Sequence, residues 1–422
     1  AFRIDGPIDV DWARRALDAL LARHETLRTA IREIDGTPVQ VIAPAAVPAL
    51  EFLDLSATPD DRREVELQQA ATARFEQPFD LAAGPLLRTT LVRLAPAQHV
   101  LLFAMHHIVS DGWSMERLAR EFFVCSTAFA QGHEPVLSPL PIQYADYAVW
   151  QRGWFQGAER QRQLDYWQAR LAGVPPLDLP ADFPRPPVQS FRGRTRAFEL
   201  DVGLMARLKT FARTHDATLF MALLTGFAIL LARYAGQDDV AIGTPIAGRT
   251  RRETEEVIGL FANTLVMRCR LDGCRTALDV LARVRDVVVG AHEHQDLPFE
   301  QLVDALKPAR DLSRNPLFQV MLILLKPSGD EPLRQMELNP GLAKFDLTLT
   351  LQEQGERLKG QLEYCTDLFT DATASRLMAH LTTLLSAMAA APDTPLAALP
   401  LLDREARDRM LTAWNRTEMS SA

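Results

Sequence analysis

His106 and His107, followed at fixed distance by Asp111 and Gly112 in the run Ala104-Met105-His106-His107-Ile108-Val109-Ser110-Asp111-Gly112-Trp113-Ser114, are the residues whose types and spacing point most directly to chemistry. An imidazole, with an ordinary pKa near ~6.5, takes a proton from a reacting group or offers it a hydrogen bond near neutral pH. One such side chain at the end of a strand suffices for acyl transfer when both substrates are brought to it. Neighbouring residues of a regular strand point to opposite faces, so one histidine reads as functional and the other as structural. Asp111 lies just past the turn, where its carboxylate holds the loop by an ion pair or caps a helix. Gly112 supplies either backbone freedom or room for a substrate to approach the main chain. A metal is not expected, because His107 and Asp111 have no third ligand of convincing spacing and His292-Glu293-His294 stands in another context. A serine hydrolase is disfavoured too, since the chain has no Gly-x-Ser-x-Gly elbow.

The elements around the motif must hold it still. Val100-Leu101-Leu102-Phe103-Ala104-Met105 is continuously apolar, as a strand covered on both faces requires. After Trp113, the residues Met115, Leu118, Phe122, Cys125 and Phe129 recur at helical spacing, so a helix begins near Ser114. The histidines thus fall where a rigid strand ends and the chain turns. Upstream, the pattern predicts a strand from Phe2, a helix over 9–23, strands at 29–31 and 37–42 around the turn Asp35-Gly36, a polar helix over 62–75 and a strand over 86–94. Helices follow from Gln143 to about Leu171. Beyond residue 190, strands at 194–200, 240–243 and 264–270 alternate with helices at 202–214 and 218–234, and a last helix spans about 372–389.

With 422 residues and 47% hydrophobic content the chain has material for two mixed α/β lobes. Pro175, Pro176, Pro180, Pro184, Pro186 and Pro187 crowd one short stretch, which puts the lobe boundary near 175: residues 1–175, then 176–400, then a tail over 401–422. A net charge of −8 without a basic block argues against a nucleic-acid partner, although Arg249-Thr250-Arg251-Arg252 is basic enough to meet an acidic protein. No run reaches the ~18 apolar residues of a membrane span. Cys125, Cys269, Cys274 and Cys365 show no metal or redox spacing and read as reduced core thiols of a cytoplasmic protein. The chain opens at Ala1 on a strand already under way, so both ends read as cut from something larger.

His-His-x-x-x-Asp-Gly resembles the signature of the condensation domains of nonribosomal peptide synthetases and of the wider chloramphenicol-acetyltransferase-like acyltransferases. Further blocks resemble the condensation family in particular: Arg23-His24-Glu25-Thr26-Leu27-Arg28-Thr29, Tyr144 to Arg152, Ile242 to Arg249 continuing through Gly259 to Leu265, His294 to Glu300, and Arg310 to Val320. The tail around Leu401-Leu402 and Trp414-Asn415 is similar to the linker into an adenylation domain. The family's first motif is not found, and Ala262 stands where valine is commoner.

The resemblance implies an α/β fold of two acetyltransferase-like lobes in a V-shaped pseudo-dimer with a central tunnel. It also implies amide bond formation, in which the amine of an acceptor aminoacyl carrier attacks a donor acyl- or peptidyl-carrier thioester. His107 is then the catalytic residue, and His106 and Gly112 shape its surroundings. Asp111 takes a structural part, salt-bridged to Arg249 or, failing that, Arg28. No cofactor binds directly, because the 4'-phosphopantetheine arms belong to the donor and acceptor carrier domains, and an adenylation domain adjoins in the same polypeptide. The family's epimerisation and cyclisation domains carry different residues at the motif, which leaves an ordinary elongation domain as the expectation. The rival readings are an ester-forming acyltransferase of the same superfamily and a noncatalytic recruitment platform.

Overall fold

The computed structural model describes residues 1–44, 50–309, 311–325, 334–336 and 341–413, with only the backbone described at 334–335 and 412–413. Its contacts divide the chain into two compact units. Unit 1 comprises residues 1–159, 247–263 and 330–340, and unit 2 the remainder.

Unit 1 is built from strands β1 (Phe2–Asp5), β2 (Thr29–Ile34), β3 (Thr37–Ile42), β4 (Leu50–Asp54), β5 (Leu87–Ala95) and β6 (Gln98–Met105), with helices α1 (Val10–Arg23), α2 (Asp60–Glu76), α3 (Gly112–Ala130) and α4 (Tyr144–Trp154). A two-residue strand, Arg334–Gln335, starts the sheet, followed in space by β1, β6, β5 and β4. β6 runs antiparallel to both of its neighbours. Its residues 99–104 are all buried, as the apolar run demands. α1 is capped by the Asp9 carboxylate, which accepts from the Asp11 amide at 2.7 Å, and its stripe Ala13, Ala16, Leu17, Leu20 and Leu21 is buried. α3 buries Leu118, Phe122, Cys125 and Phe129 in the same core, where Phe103 meets Phe122 edge-on at 5.8 Å. The pair β2–β3 turns through Asp35 and Gly36, both at positive φ (50° and 74°), which suits the right-handed twist of a hairpin.

Unit 2 carries α5 (Gly157–Leu171), β7 (Gly193–Leu200), α6 (Val202–Thr214), α7 (Leu219–Ala235), β8 (Asp239–Ile246), β9 (Asn263–Arg270), α8 (Ala277–Glu293), α9 (Phe299–Leu306) and β10 (Val320–Leu325). Counting Arg334–Gln335 of unit 1 as β11, it closes with β12 (Leu347–Gln354), β13 (Arg357–Cys365) and α10 (Asp371–Ala390). The spatial strand order is β7-β13-β12-β10-β8-β9, with β10 parallel to both β12 and β8. α7 is apolar on every side, and Met221 through Ala232 are all buried, as such a helix must be in water. Among the described residues no single helix is long and apolar enough to cross a membrane. Burial pushes the Cys125 thiol up to about 11 and the Cys269 thiol up to about 12, so both behave as small core residues.

The unit boundary differs from the sequence expectation of 175. The prolines do form an irregular stretch, but the division falls at Glu159/Arg160, within α5. α5 is tied to unit 2 by Trp167, whose indole N–H donates to the His294 carbonyl at 2.8 Å, and by Gln163, which accepts from the Leu297 amide at 2.8 Å. A proline-rich stretch marks where regular structure stops, whereas packing decides which unit a helix joins. Residues 247–263 belong to unit 1 although in the chain they lie between β8 and β9 of unit 2. Arg310 and the Trp414-Asn415 end of the expected linker lie outside the described residues.

Candidate active site

β6 ends at Met105, residues His107–Val109 wind one 3-10 turn, and α3 starts at Gly112. The chain therefore leaves strand geometry between the two histidines. His106 is half-buried, and its Nδ1 accepts from the Ile108 amide at 3.1 Å, capping the turn. With Nδ1 accepting, Nε2 is left as the ring's donor. His107 is exposed, and its ring makes no hydrogen bond among the described residues. One imidazole is spent on structure and the other is left available.

Asp111 is the anchor. Its side chain is 2% exposed, and so is that of Arg249, its ion-pair partner. Four groups donate to this carboxylate: the Ser114 amide at 2.8 Å, Arg249 Nη2 at 3.2 Å, the Phe261 amide at 3.0 Å and the Ala262 amide at 3.2 Å. The first makes Asp111 the N-cap of α3, so both sequence readings of this residue hold together. Arg249 spreads its donors over the carbonyls of Thr254 and Val257, Asp111 and the Ser114 hydroxyl, and its guanidinium lies 4.1 Å from the Phe261 ring centroid. Burial pulls the Arg249 pKa below its usual value and Asp111 opposes that pull. Arg28, the second candidate, instead donates to the carbonyls of Leu21 and Ala43 and pairs with Glu25.

Segment 247–263 is closed by small residues and by backbone. At Gly248, φ is +63° and a Cβ would fall 1.9 Å from the Phe261 carbonyl oxygen, so only glycine lets these two stretches approach. Ala262 contributes its amide to Asp111, which makes its departure from valine immaterial to the anchor. Ser114 Oγ donates to the Gly259 carbonyl at 2.8 Å and accepts from the Gly259 amide at 3.1 Å. The hydroxyl of Tyr144 donates to the Leu260 carbonyl at 2.8 Å, and burial pushes its pKa up to about 12, keeping it a donor. Gly112 has ordinary φ and a Cβ there would meet nothing within 4 Å, so backbone freedom is not what requires it. The basic run 249–252 is not one patch, since Arg249 is enclosed while Arg251 lies over Trp150 at 4.3 Å.

The block Arg23 to Thr29 also meets this segment. His24 Nε2 donates to Glu121 at 2.7 Å, Arg23 reaches the same carboxylate at 3.2 Å, and Thr26 Oγ1 donates to the Ile258 carbonyl at 2.8 Å. His24 Nδ1 is buried without a partner among the described residues, so protonating it would bury an unmet N–H. Burial accordingly holds the pKa of His24 down, and does the same to His99 and His380. Their folded pKa values lie below the unfolded value near ~6.5, so the unfolded chain binds more protons and stability is full above that pH. Thermal unfolding is expected at lower temperature as pH falls from about 7 toward about 5, with a shallower fall in His24→Gln. An equal pH slope in the two proteins would remove His24 from this linkage.

The structure thus brings the blocks at 23–29 and 144–152 and the 247–263 part of the block at 242–265 to the His107 motif within unit 1, while the blocks at 294–300 and 311–320 belong to unit 2. His294 stacks on Tyr166 at 3.9 Å, and Arg314 donates to the Leu177 carbonyl at 3.2 Å. Ser114 was legible only as a helix start. Its bonds to Arg249 and Gly259 span 135 and 145 residues, beyond any local signal.

The chain matches the family model of the condensation domain over residues 1–411. It is 44% identical over 426 residues to a linear gramicidin synthase protein of Brevibacillus parabrevis, covering 99% of this chain and 8% of that protein. Against the chondramide synthase cmdD of Chondromyces crocatus the identity is 43% over 423 residues, covering 99% of this chain and 11% of that protein. The chain therefore spans only a small part of the length of these relatives. Among solved structures, the X-domain complexed with OxyB from teicoplanin biosynthesis aligns with a TM-score of 0.85 at 31% identity, covering 95% of this chain and 90% of that one. A four-domain nonribosomal peptide synthetase bound to AMP and glycine aligns with a TM-score of 0.85 at 25% identity, covering 96% of this chain and 32% of that one. With an intact His-His-x-x-x-Asp-Gly motif anchored as described and a family match along nearly its whole length, this chain belongs to the condensation-domain family of nonribosomal peptide synthetases.

Proposed function

We propose that the domain forms amide bonds between two carrier-bound substrates. The acceptor amine attacks the carbonyl carbon of the donor acyl or peptidyl thioester, the C–N bond forms, the C–S bond breaks, and the donor arm leaves as a thiol with the proton the amine releases. The lengthened chain then rests on the acceptor carrier. His107 is the catalytic residue, oriented toward the amine or the developing charge. His106, Asp111, Gly112 and Arg249 support it. The domain needs no cofactor of its own, because the phosphopantetheine arms arrive on donor and acceptor carrier domains. An adenylation domain of the same cytoplasmic polypeptide loads the acceptor. The observation that carries this reading is the contrast between a His106 ring committed to the Ile108 amide and an exposed His107 ring without an intramolecular partner among the described residues.

Intact-mass analysis of the domain mixed with loaded carriers tests it. Donor carriers bearing N-acetylated glycine, leucine or phenylalanine are paired with acceptors bearing the free amino acids or the matching 2-hydroxy acids. Growth of the amine-loaded acceptor supports the reading. Transfer only to the hydroxy acids selects the ester-forming alternative, and transfer to neither selects recruitment without chemistry.

Gly112 gives a prediction of the same assay. Since Gly112 has an ordinary φ and a Cβ there meets nothing in the protein, Gly112→Ala should melt within about 1–2 °C of the wild type. Condensation should slow by roughly tenfold through the methyl group intruding on the approaching substrate. A wild-type rate would return Gly112 to a bystander.

A further inference from the structure

Phe79 and Arg88 lie outside every motif described above, yet both bear on His106. The Arg88 guanidinium sits 3.9 Å from the Phe79 ring centroid and is fixed there by donating Nη1 to the Gln77 carbonyl at 2.8 Å and Nη2 to the Pro78 carbonyl at 2.6 Å. The Phe79 ring in turn meets the His106 ring edge to face, with centroids 6.2 Å apart and planes at 83°. The His106 amide donates to the Leu86 carbonyl at 3.0 Å, on the stretch that leads into Arg88. Arg88, Phe79 and His106 thus form a series in which each side chain meets the next.

We infer that Phe79 and Arg88 are positioning residues for His107, acting through His106. The imidazole of His106 must present Nδ1, and not Nε2 or a carbon edge, to the Ile108 amide for the 3-10 turn to keep its cap. A half-buried imidazole on a soft terminal torsion has two broad orientations, related by a ring flip. The flip exchanges nitrogen and carbon along the ring edges, so the Phe79 ring does not meet the two orientations equally, and the cation on Phe79 holds that ring in turn. Releasing Phe79 frees His106 to flip. The turn then loses its cap, and the His107 ring, which makes no hydrogen bond among the described residues, loses its aim. Neither Phe79 nor Arg88 touches the reacting atoms. The inference rests on the catalytic role proposed for His107.

The test combines single-turnover kinetics on the carriers named above with nitrogen-15 NMR of the histidine rings. Phe79→Leu is expected to lower kcat by roughly 10- to 100-fold with KM for the donor carrier unchanged, the size of effect that a small misplacement of a reacting group produces. In the same protein the His106 signals should no longer report a single Nε2–H tautomer. Phe79→Tyr keeps the ring and should restore both readouts. Arg88→Gln, which removes no core volume, should show the same pattern at about tenfold and serves if Phe79→Leu fails to fold. A Phe79→Leu or Arg88→Gln protein with wild-type kcat, or with slowed turnover and an unchanged His106 tautomer, overturns the inference. If the wild type itself forms no amide, the function reading falls, while a retained tautomer in both variants would still count separately against the Phe79–Arg88 device.

Discussion

His107→Ala is expected to leave a domain that melts with the wild type and forms amide bonds roughly 10²- to 10⁴-fold more slowly, the range that a positioned acid–base group contributes. The two halves of that expectation come from separate observations. Stability is preserved because the ring is exposed and makes no hydrogen bond among the described residues, so its removal breaks no packing and strands no polar group. Activity falls because nothing else described at the motif is free to act: His106 is committed to the Ile108 amide, and Asp111 to four donors. Some reaction should remain, since a free amine attacks a thioester without much activation and holding two carriers together already removes much of the barrier. His107→Gln separates the two ways an imidazole works here. Glutamine hydrogen-bonds but does not shuttle a proton, so a rate near wild type marks orientation, and a rate like that of alanine marks proton transfer. Unchanged single-turnover condensation by His107→Ala, measured by intact mass, would remove His107 from the chemistry.

How far the sequence carried is clearest from particular residues. Helices 9–23, 202–214 and 218–234 and the hairpin about Asp35-Gly36 were legible because periodicity, capping residues and turn chemistry are local signals, and the observed bounds differ by a residue or so. β4 was not, since Leu50–Asp54 leaves most of its side chains exposed and lacks the alternation of a half-buried strand. In the site, the division of labour between two adjacent histidines could be anticipated from strand geometry. What separates them in space is the 3-10 turn, a device set by the cap from His106 and by the buried Val109. Arg249 could be named as a partner of Asp111 only because a family pattern pointed to it. Nothing local relates positions 138 residues apart, and the same holds for the Phe261 and Ala262 amides that complete the anchor.

That anchor supplies the largest stability effect expected in the molecule. Asp111→Ala removes the only described carboxylate on a buried guanidinium, the N-cap of α3 and the acceptor of the Phe261 and Ala262 amides at one stroke. Breaking one side of a buried pair costs about 3–5 kcal/mol, because the remaining charge stays buried. For a unit of this size that lowers the melting temperature by roughly 6–20 °C. Asp111→Asn should fare little better despite its matching shape. Whichever way its amide turns, an NH₂ group replaces an oxygen that now accepts, facing either the Phe261 and Ala262 amides or the Ser114 amide and Arg249. Arg249→Lys should also lose most of the site, since one ammonium cannot reach the Thr254 and Val257 carbonyls, Asp111 and Ser114 together. In a double-mutant cycle, Asp111→Ala with Arg249→Ala should cost well below the sum of the single changes, as removing both partners leaves neither charge stranded. Condensation should fall in step with the loss of folded protein in each variant. An Asp111→Ala domain that melts like the wild type yet forms no amide would contradict the anchoring role and hand Asp111 a direct part in the reaction.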